Sequence, residues 1–130
     1  MTTILPRLLL VALGGALGSA GRYLVAIWSG QLGGEVRFPA GTLAVNLIGC
    51  LMIGMLAAFG ERTTALSADA RLFLMTGVLG GFTTFSAFGL ETATMLRRDD
   101  FTTALVYVAV SVIGGLVAVW LGWGIAARVS

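Results

Sequence analysis

The sequence predicts an all-α membrane protein with four transmembrane helices, the third of which is broken near its middle. Of its 130 residues, 58% are hydrophobic and only 11% are charged, and the mean hydropathy is +0.98. A soluble domain of this length does not bury that much apolar surface. The apolar residues form four stretches, each long enough for the roughly 20 residues that a membrane helix needs. The third stretch contains a cluster of glycines and hydroxyls that predicts the break.

Short connections join the four predicted spans into one domain that covers residues 1–130. We expect all four to be helices, because backbone in contact with lipid must satisfy its own hydrogen bonds. Pro39 suits the first turn of the second helix, and Ser67 and Asp69 are candidate N-caps of the third. The predicted spans run from about Ile4 to Trp28, from Pro39 to Phe59, from Arg71 to Leu96 and from Phe101 to Ala127.

Glycines inside the predicted helices indicate close helix packing. Gly14 and Gly18 lie in the first span, and Gly49 and Gly54 lie in the second. Small residues at such spacing let two membrane helices approach each other closely. We therefore interpret most of these glycines as packing residues.

The segment from Gly77 to Phe88 combines three glycines, three hydroxyls and three aromatic rings within the third apolar stretch. Glycine lets the backbone leave helical geometry, which the membrane tolerates only where the opened backbone is buried or lines a polar cavity. Phe82, Phe85 and Phe88 recur every three residues, so on a continuous helix they would lie near one face, although we interpret Phe82 as a packing residue. The segment predicts a helix break within residues 80–84 and an ion site beside it.

Two other spans each carry a pair of polar residues one helical turn apart. Thr42 and Asn46 share a face of the second helix, and Tyr107 and Ser111 share a face of the fourth. A carboxamide in hydrocarbon costs free energy unless it is paired. From this pattern alone, Asn46 either links two helices or contacts an ion.

The residue types exclude several functions. The chain has no histidine, and the predicted first, second and fourth spans contain no carboxylate, which disfavours a proton-coupled pump. Cys50 is the single cysteine, so we expect no thiolate metal cluster, and a net charge of +2 without a basic stripe argues against nucleic acid. Neutral donors and the positive edges of aromatic rings remain, and both stabilise a small anion without naming it.

The chain resembles a known family in three places. The motif Gly80-Gly-Phe-Thr-Thr-Phe-Ser-Ala-Phe88 resembles the signature of the small dual-topology fluoride channels, the Fluc or CrcB family. Two further matches lie where that family has them, at Gly14-Gly-Ala-Leu-Gly-Ser-Ala-Gly-Arg-Tyr23 and at Val45-Asn-Leu-Ile-Gly49. The chain departs from the family pattern at Ala87, where threonine is common, and at Ser19, where alanine is common.

The resemblance implies a role for each matching residue. Phe85 and Phe88 match paired phenylalanines whose ring edges face fluoride, and Asn46 matches the asparagine of the pore. The carbonyl oxygens of Gly80 and Thr83 match a break that holds a structural sodium ion between two subunits, and carbonyl oxygens suit such a hard cation. The other matches are polar groups along the anion pathway and charged groups near its ends, namely Ser86, Thr42, Tyr107, Ser111, Arg22 and Glu91.

The arginines leave the orientation in the membrane open, because both sides carry about the same number. From charge alone, this balance is equally compatible with a single orientation that other factors determine and with insertion in both orientations. The resemblance implies the second, and with it an antiparallel homodimer in the cell inner (plasma) membrane. The even tally counts Arg7, Arg62, Arg71 and Arg128 on one side and Arg37, Arg97 and Arg98 on the other, with Arg22 near a helix end.

The function that the resemblance implies is passive export of fluoride from the cytoplasm through a selective channel, which lowers fluoride toxicity. The alternative is a small dual-topology exporter of drugs or other cations, but proton coupling there needs a carboxylate in the first span, and this span has none. An enzyme is disfavoured, because the sequence offers no nucleophile paired with a base.

Overall fold

The computed structural model describes residues 3–32 and 37–129, and all regular secondary structure in these ranges is helical. Four helical segments are long and apolar enough to cross a membrane, which confirms the predicted four spans. The first begins and ends as predicted, whereas the second and fourth extend by a few residues beyond their predicted ends. Their bounds are Ile4–Trp28, Ala40–Arg62, Ala68–Arg97 and Phe101–Val129.

The third span consists of two halves separated by the extended residues Thr83 and Thr84, whose φ and ψ are −85° and 161° and −153° and 118°. The break therefore lies at the C-terminal end of the predicted interval. The first half, residues 68–82, is π-helical over Leu72–Leu79 and α-helical on either side. The second half is the α-helix Phe85–Arg97.

Hydroxyl side chains cap the start of each half. The Ala70 amide donates to Ser67 Oγ at 3.1 Å, and the Ala87 amide donates to Thr84 Oγ1 at 3.2 Å. Ser67 is thus the N-cap of the third span, while Asp69 lies in its first turn. Pro39 occupies the N-cap position of the second helix and not its first turn, since the helix begins at Ala40.

The break separates the three phenylalanines that a continuous helix would have aligned. Phe82 ends the first half and packs beside Gly21 of the first span. Phe85 and Phe88 lie together on the second half, with ring centroids 5.5 Å apart. Phe82 therefore packs, as the sequence interpretation had it, and the two extended residues interrupt the helix on which the three rings would have shared a face.

The four spans pack as two pairs that depend on glycine. The first span lies against the first half of the third, where a Cβ atom on Gly14 would come within 2.9 Å of the Gly77 Cα. The second span packs most extensively against the fourth, and a Cβ on Gly122 would come within 3.0 Å of the Met55 amide nitrogen. Only glycine allows these backbones to meet, so the packing interpretation is confirmed at Gly14, as it is at Gly54, where a Cβ would meet the Val119 backbone.

Candidate functional site

The side chain of Asn46, in the second span, binds both the amide and the carbonyl of Thr84 at the break. Its Nδ2 donates to the Thr84 carbonyl at 3.0 Å, and its Oδ1 accepts from the Thr84 amide at 2.8 Å. Its Oδ1 thus replaces the Gly80 carbonyl, which would accept from the Thr84 amide in an unbroken helix. The contact with the Thr84 carbonyl uses one of the two hydrogens on the carboxamide nitrogen.

The carbonyl oxygens of Gly80 and Thr83 are among those that lose their helical partners at the break. In a continuous helix, the Gly80 carbonyl accepts from the Thr84 amide and the Thr83 carbonyl accepts from the Ala87 amide. In this structure those amides donate instead to Asn46 Oδ1 and to Thr84 Oγ1. These are the two carbonyls that the sequence resemblance assigned to sodium, and oxygen ligands freed from a helix fit the requirements of that cation.

Arg22 lies against the break from the first span. Its Nε donates to the Gly81 carbonyl at 3.1 Å, and Ser19 Oγ lies 3.5 Å from the same oxygen. The guanidinium is half-buried and lines the larger of two cavities described below. It therefore brings a positive charge close to the opened backbone.

A groove of about 480 Å³ runs along the break on the side of the fourth span. The planes of the Phe85 and Phe88 rings are inclined by 41° to each other there. Phe85 is 83% exposed, whereas Phe88 is half-buried and packs on Tyr107, with ring centroids 5.2 Å apart. The predicted site residues in its lining are Asn46, Gly80, Thr83, Phe85, Phe88 and Ser111.

Ser111 contributes a buried hydroxyl to this groove. Its Oγ has no hydrogen-bond partner among the described residues. A buried polar group without a partner costs free energy, so it indicates a place for a ligand or water. Ser86, by contrast, is exposed, and its Oγ lies 3.3 Å from Thr84 Oγ1.

A second cavity, of about 870 Å³, lies on the other side of Thr84, which lines both cavities. Glu91 in its wall joins the two predicted polar pairs. The Thr42 hydroxyl donates to Glu91 Oε1 at 2.6 Å, and the Tyr107 hydroxyl donates to Oε2 at 2.6 Å. Tyr107 is fully buried, and Phe38 packs on it with its ring nearly perpendicular. The structure therefore places Glu91 at the centre of a hydrogen-bond network.

Sequence reasoning missed two residues of this region. Gln31, in the connection after the first span, donates to both Thr42 and Glu91, and no periodicity in the sequence marks it. Thr84 was recognised only as a hydroxyl beside the break. A hydroxyl residue directly before a helical segment is a common N-cap signal that could have identified its role.

The geometry defines a class of protein: a four-span membrane protein in which polar groups at a helix break line two adjoining cavities. The chain belongs to the family described as CrcB-like protein, Camphor Resistance (CrcB), which matches residues 9–123. This confirms the family that the sequence motifs indicated.

Several relatives are similar over most of their length, and each carries the name fluoride-specific ion channel FluC. The relative from Paracoccus denitrificans is 53% identical over 86% of this chain and 87% of its own. The relative from Methylobacillus flagellatus is 48% identical over 90% of this chain and 91% of its own. The relative from Agrobacterium fabrum is 47% identical over 87% of this chain and 90% of its own.

Proposed function

We propose that this protein is a fluoride-selective ion channel that exports fluoride passively from the cytoplasm. The observation that carries the proposal is the groove, whose lining includes the rings of Phe85 and Phe88 and a Ser111 hydroxyl without a partner among the described residues. The relatives named as fluoride-specific channels support the choice of anion.

The chemistry of the groove favours a small, hard anion. A hydroxyl donor and ring edges both direct partial positive charge at an ion, and both act strongly only at short range. The carboxylate of Glu91 accepts hydrogen bonds from Thr42, Gln31 and Tyr107, so both of its oxygens already have donors. We see no observation that favours a drug exporter.

Flux from liposomes tests this function directly. Vesicles containing the purified protein and fluoride, with a potassium ionophore to relieve the membrane potential, should release fluoride to an electrode. Vesicles loaded with chloride and vesicles without protein serve as controls. Equal release of both halides, or release of fluoride no faster than from protein-free vesicles, would contradict the proposal.

The working unit that we propose is an antiparallel homodimer in the cell inner (plasma) membrane. Two observations support it: the arginines are evenly divided between the two sides, and Phe85 on the wall of the groove is largely exposed in a single subunit. Cysteine tags at either terminus, in a Cys50→Ser background, should react with an impermeant reagent from both sides of the membrane. Reaction from one side only would exclude dual topology.

A structural sodium ion between the two subunits is the remaining part of the proposal. The freed carbonyls of Gly80 and Thr83 support it, because unpaired carbonyls in lipid cost roughly several kcal/mol each. Exchange of sodium for a large organic cation should lower both the thermal stability of the dimer and the fluoride flux. Unchanged stability after complete exchange would count against this site.

A further inference from the structure

Gln31 lies in the connection between the first and second spans and extends its side chain into the larger cavity. The preceding Gly30 has a positive φ of 71°, a conformation that glycine adopts without strain. The chain thereby turns back, and the backbone amide of Gln31 donates to the Ala26 carbonyl at 3.0 Å. The side chain is half-buried although the residue lies outside the spans.

The contacts of Gln31 determine the orientation of its carboxamide. The Thr42 backbone amide donates to Gln31 Oε1 at 3.1 Å, and a backbone amide can only donate. Nε2 must therefore point away from it, towards the Thr42 hydroxyl at 2.9 Å and Glu91 Oε1 at 2.7 Å. One side chain thus satisfies an amide in the first turn of the second helix and contributes a donor to the carboxylate.

Gly41 provides an independent sign that this arrangement is built into the fold. A Cβ atom at this position would collide with Gln31 Oε1 and with Ser29 Oγ, and would lie 3.2 Å from the Ser29 Cβ. Any larger residue would force the Gln31 carboxamide and the Ser29 hydroxyl to move. Space for the Gln31 carboxamide is therefore present only because residue 41 has no side chain.

We propose that Gln31 is a positioning residue for the anion pathway, acting through Glu91. A carboxylate within a membrane-spanning segment needs donors to remain in place. Among the described residues, three donors reach Glu91: Tyr107 binds Oε2, and Thr42 and Gln31 bind Oε1. Gln31 ties the carboxylate to the start of the second helix, so the second half of the third span keeps its position beside the break. The inference rests on the proposed channel function.

Two substitutions separate this role from simple folding. Gln31→Met keeps the length of the side chain and removes both donor contacts. Gln31→Glu keeps the shape but sets a second carboxylate against Glu91, and two adjacent carboxylates ionise together only at a cost, so they share a proton as the pH falls. That proton restores a hydrogen bond between them. The nearby Ile27, which is exposed and lines neither cavity, provides a control as Ile27→Ala.

We expect both Gln31 variants to form dimers and to conduct fluoride about tenfold more slowly than the unmodified protein at about pH 8, while Ile27→Ala conducts normally. When the pH is lowered from about 8 to about 5.5, the fluoride flux of Gln31→Glu should rise several-fold relative to that of the unmodified protein, with the leak of protein-free vesicles subtracted. The flux of Gln31→Met should not rise in this way. The other charged groups that line this cavity are shared by both variants, so they do not produce a difference between them; they are Arg22, Arg37, Arg98 and Asp100.

The combination with Glu91→Gln tests whether Gln31 acts through the carboxylate. If it does, Gln31→Met should reduce flux little further in a Glu91→Gln background. The proposal would be overturned if the double variant lost flux by the product of the two single-variant losses. Normal flux in both Gln31 variants, or loss of the dimer in both, would overturn it as well. Failure of the proposed function is recognised separately, because the unmodified protein would then show no fluoride flux.

Discussion

The two halves of the third span differ in polarity, since the first is strongly apolar and the second carries several polar side chains, and they are held in opposite ways. The first half meets the first span through backbone, with glycine against glycine at Gly14 and Gly77. The second half is held by side chains, through the double hydrogen bond of Asn46 to Thr84 and the three bonds to Glu91. The difference teaches that a single apolar stretch can serve as scaffold on one side of a break and as pathway wall on the other.

A physical reason underlies this division. Backbone contact between glycines is rigid and leaves no side chain to present to an ion. Hydrogen-bonded side chains can direct donors and ring edges into a cavity, provided that another helix positions them. Substitutions in the first half should therefore act on folding, and substitutions in the second half should act first on flux.

The largest effect is expected at the glycine contact of the first half. Gly14→Leu should prevent folding, because the added side chain would overlap the Phe73 carbonyl and the Gly77 backbone. Gly14→Ala should lower the stability of the dimer by about 1–3 kcal/mol. The measurements are the yield of monodisperse dimer on size exclusion and its thermal unfolding.

Gly15→Ala is the matched control for this contact. A Cβ at Gly15 has only the Gly77 carbonyl oxygen nearby, at 4.0 Å, so the substitution should be tolerated. Equal loss of stability in Gly14→Ala and Gly15→Ala would show that close backbone contact is not what holds the first half.

Asn46→Asp should have the next largest effect. The ionised aspartate keeps an acceptor for the Thr84 amide, but it faces the Thr84 carbonyl with a charge where Nδ2 now donates. It also repels an anion in the groove. We expect fluoride flux at neutral pH to fall about a hundredfold, as an unpaired buried charge costs roughly 3 kcal/mol or more.

Size exclusion of the Asn46→Asp variant distinguishes two roles of the carboxamide. An intact dimer with collapsed flux is the expected result and supports contact with the anion. If the dimer dissociates in step with the loss of flux, Asn46 serves the break alone. Normal flux would remove it from the pathway.

Phe85→Ile and Phe88→Ile should separate flux from stability within the second half. Each removes the ring edge but retains apolar volume, and we expect about tenfold lower flux in both. Only Phe88 packs on Tyr107, so only Phe88→Ile should also lower the thermal stability of the dimer, by about 1 kcal/mol. Undiminished flux in both variants would reduce these rings to packing residues.

The smallest effects are expected at the two N-caps. Ser67→Ala and Thr84→Ala each remove a cap of one half, and each should cost about 1 kcal/mol of stability. Only Thr84 lines the cavities, so only Thr84→Ala should slow fluoride flux, by a few-fold. Thr84→Ser retains the hydroxyl and should conduct normally. A similar decrease of flux in Ser67→Ala would contradict the division between the halves.

Much of the fold was predictable because membrane helices are encoded locally. The apolar stretches gave the helix bounds to within a few residues, and the glycines and hydroxyls near residue 83 predicted the break. The alignment of Phe82 with Phe85 and Phe88 was not predictable, because the phase of a helix after a break depends on its partners. The predicted roles of the site residues, the sodium ion and the antiparallel dimer remain predictions for the experiments above.

The sequence alone determined that this is a membrane protein with four helices, and to which family it belongs, because hydropathy and short motifs are properties of neighbouring residues. Only the tertiary structure decided that Glu91 joins Thr42 to Tyr107, that Asn46 spans the break, and that Gln31 reaches the carboxylate. Donors and acceptors that meet across helices are separated by many residues along the chain. Their pairing depends on how closely the helix backbones approach each other, which no local pattern records.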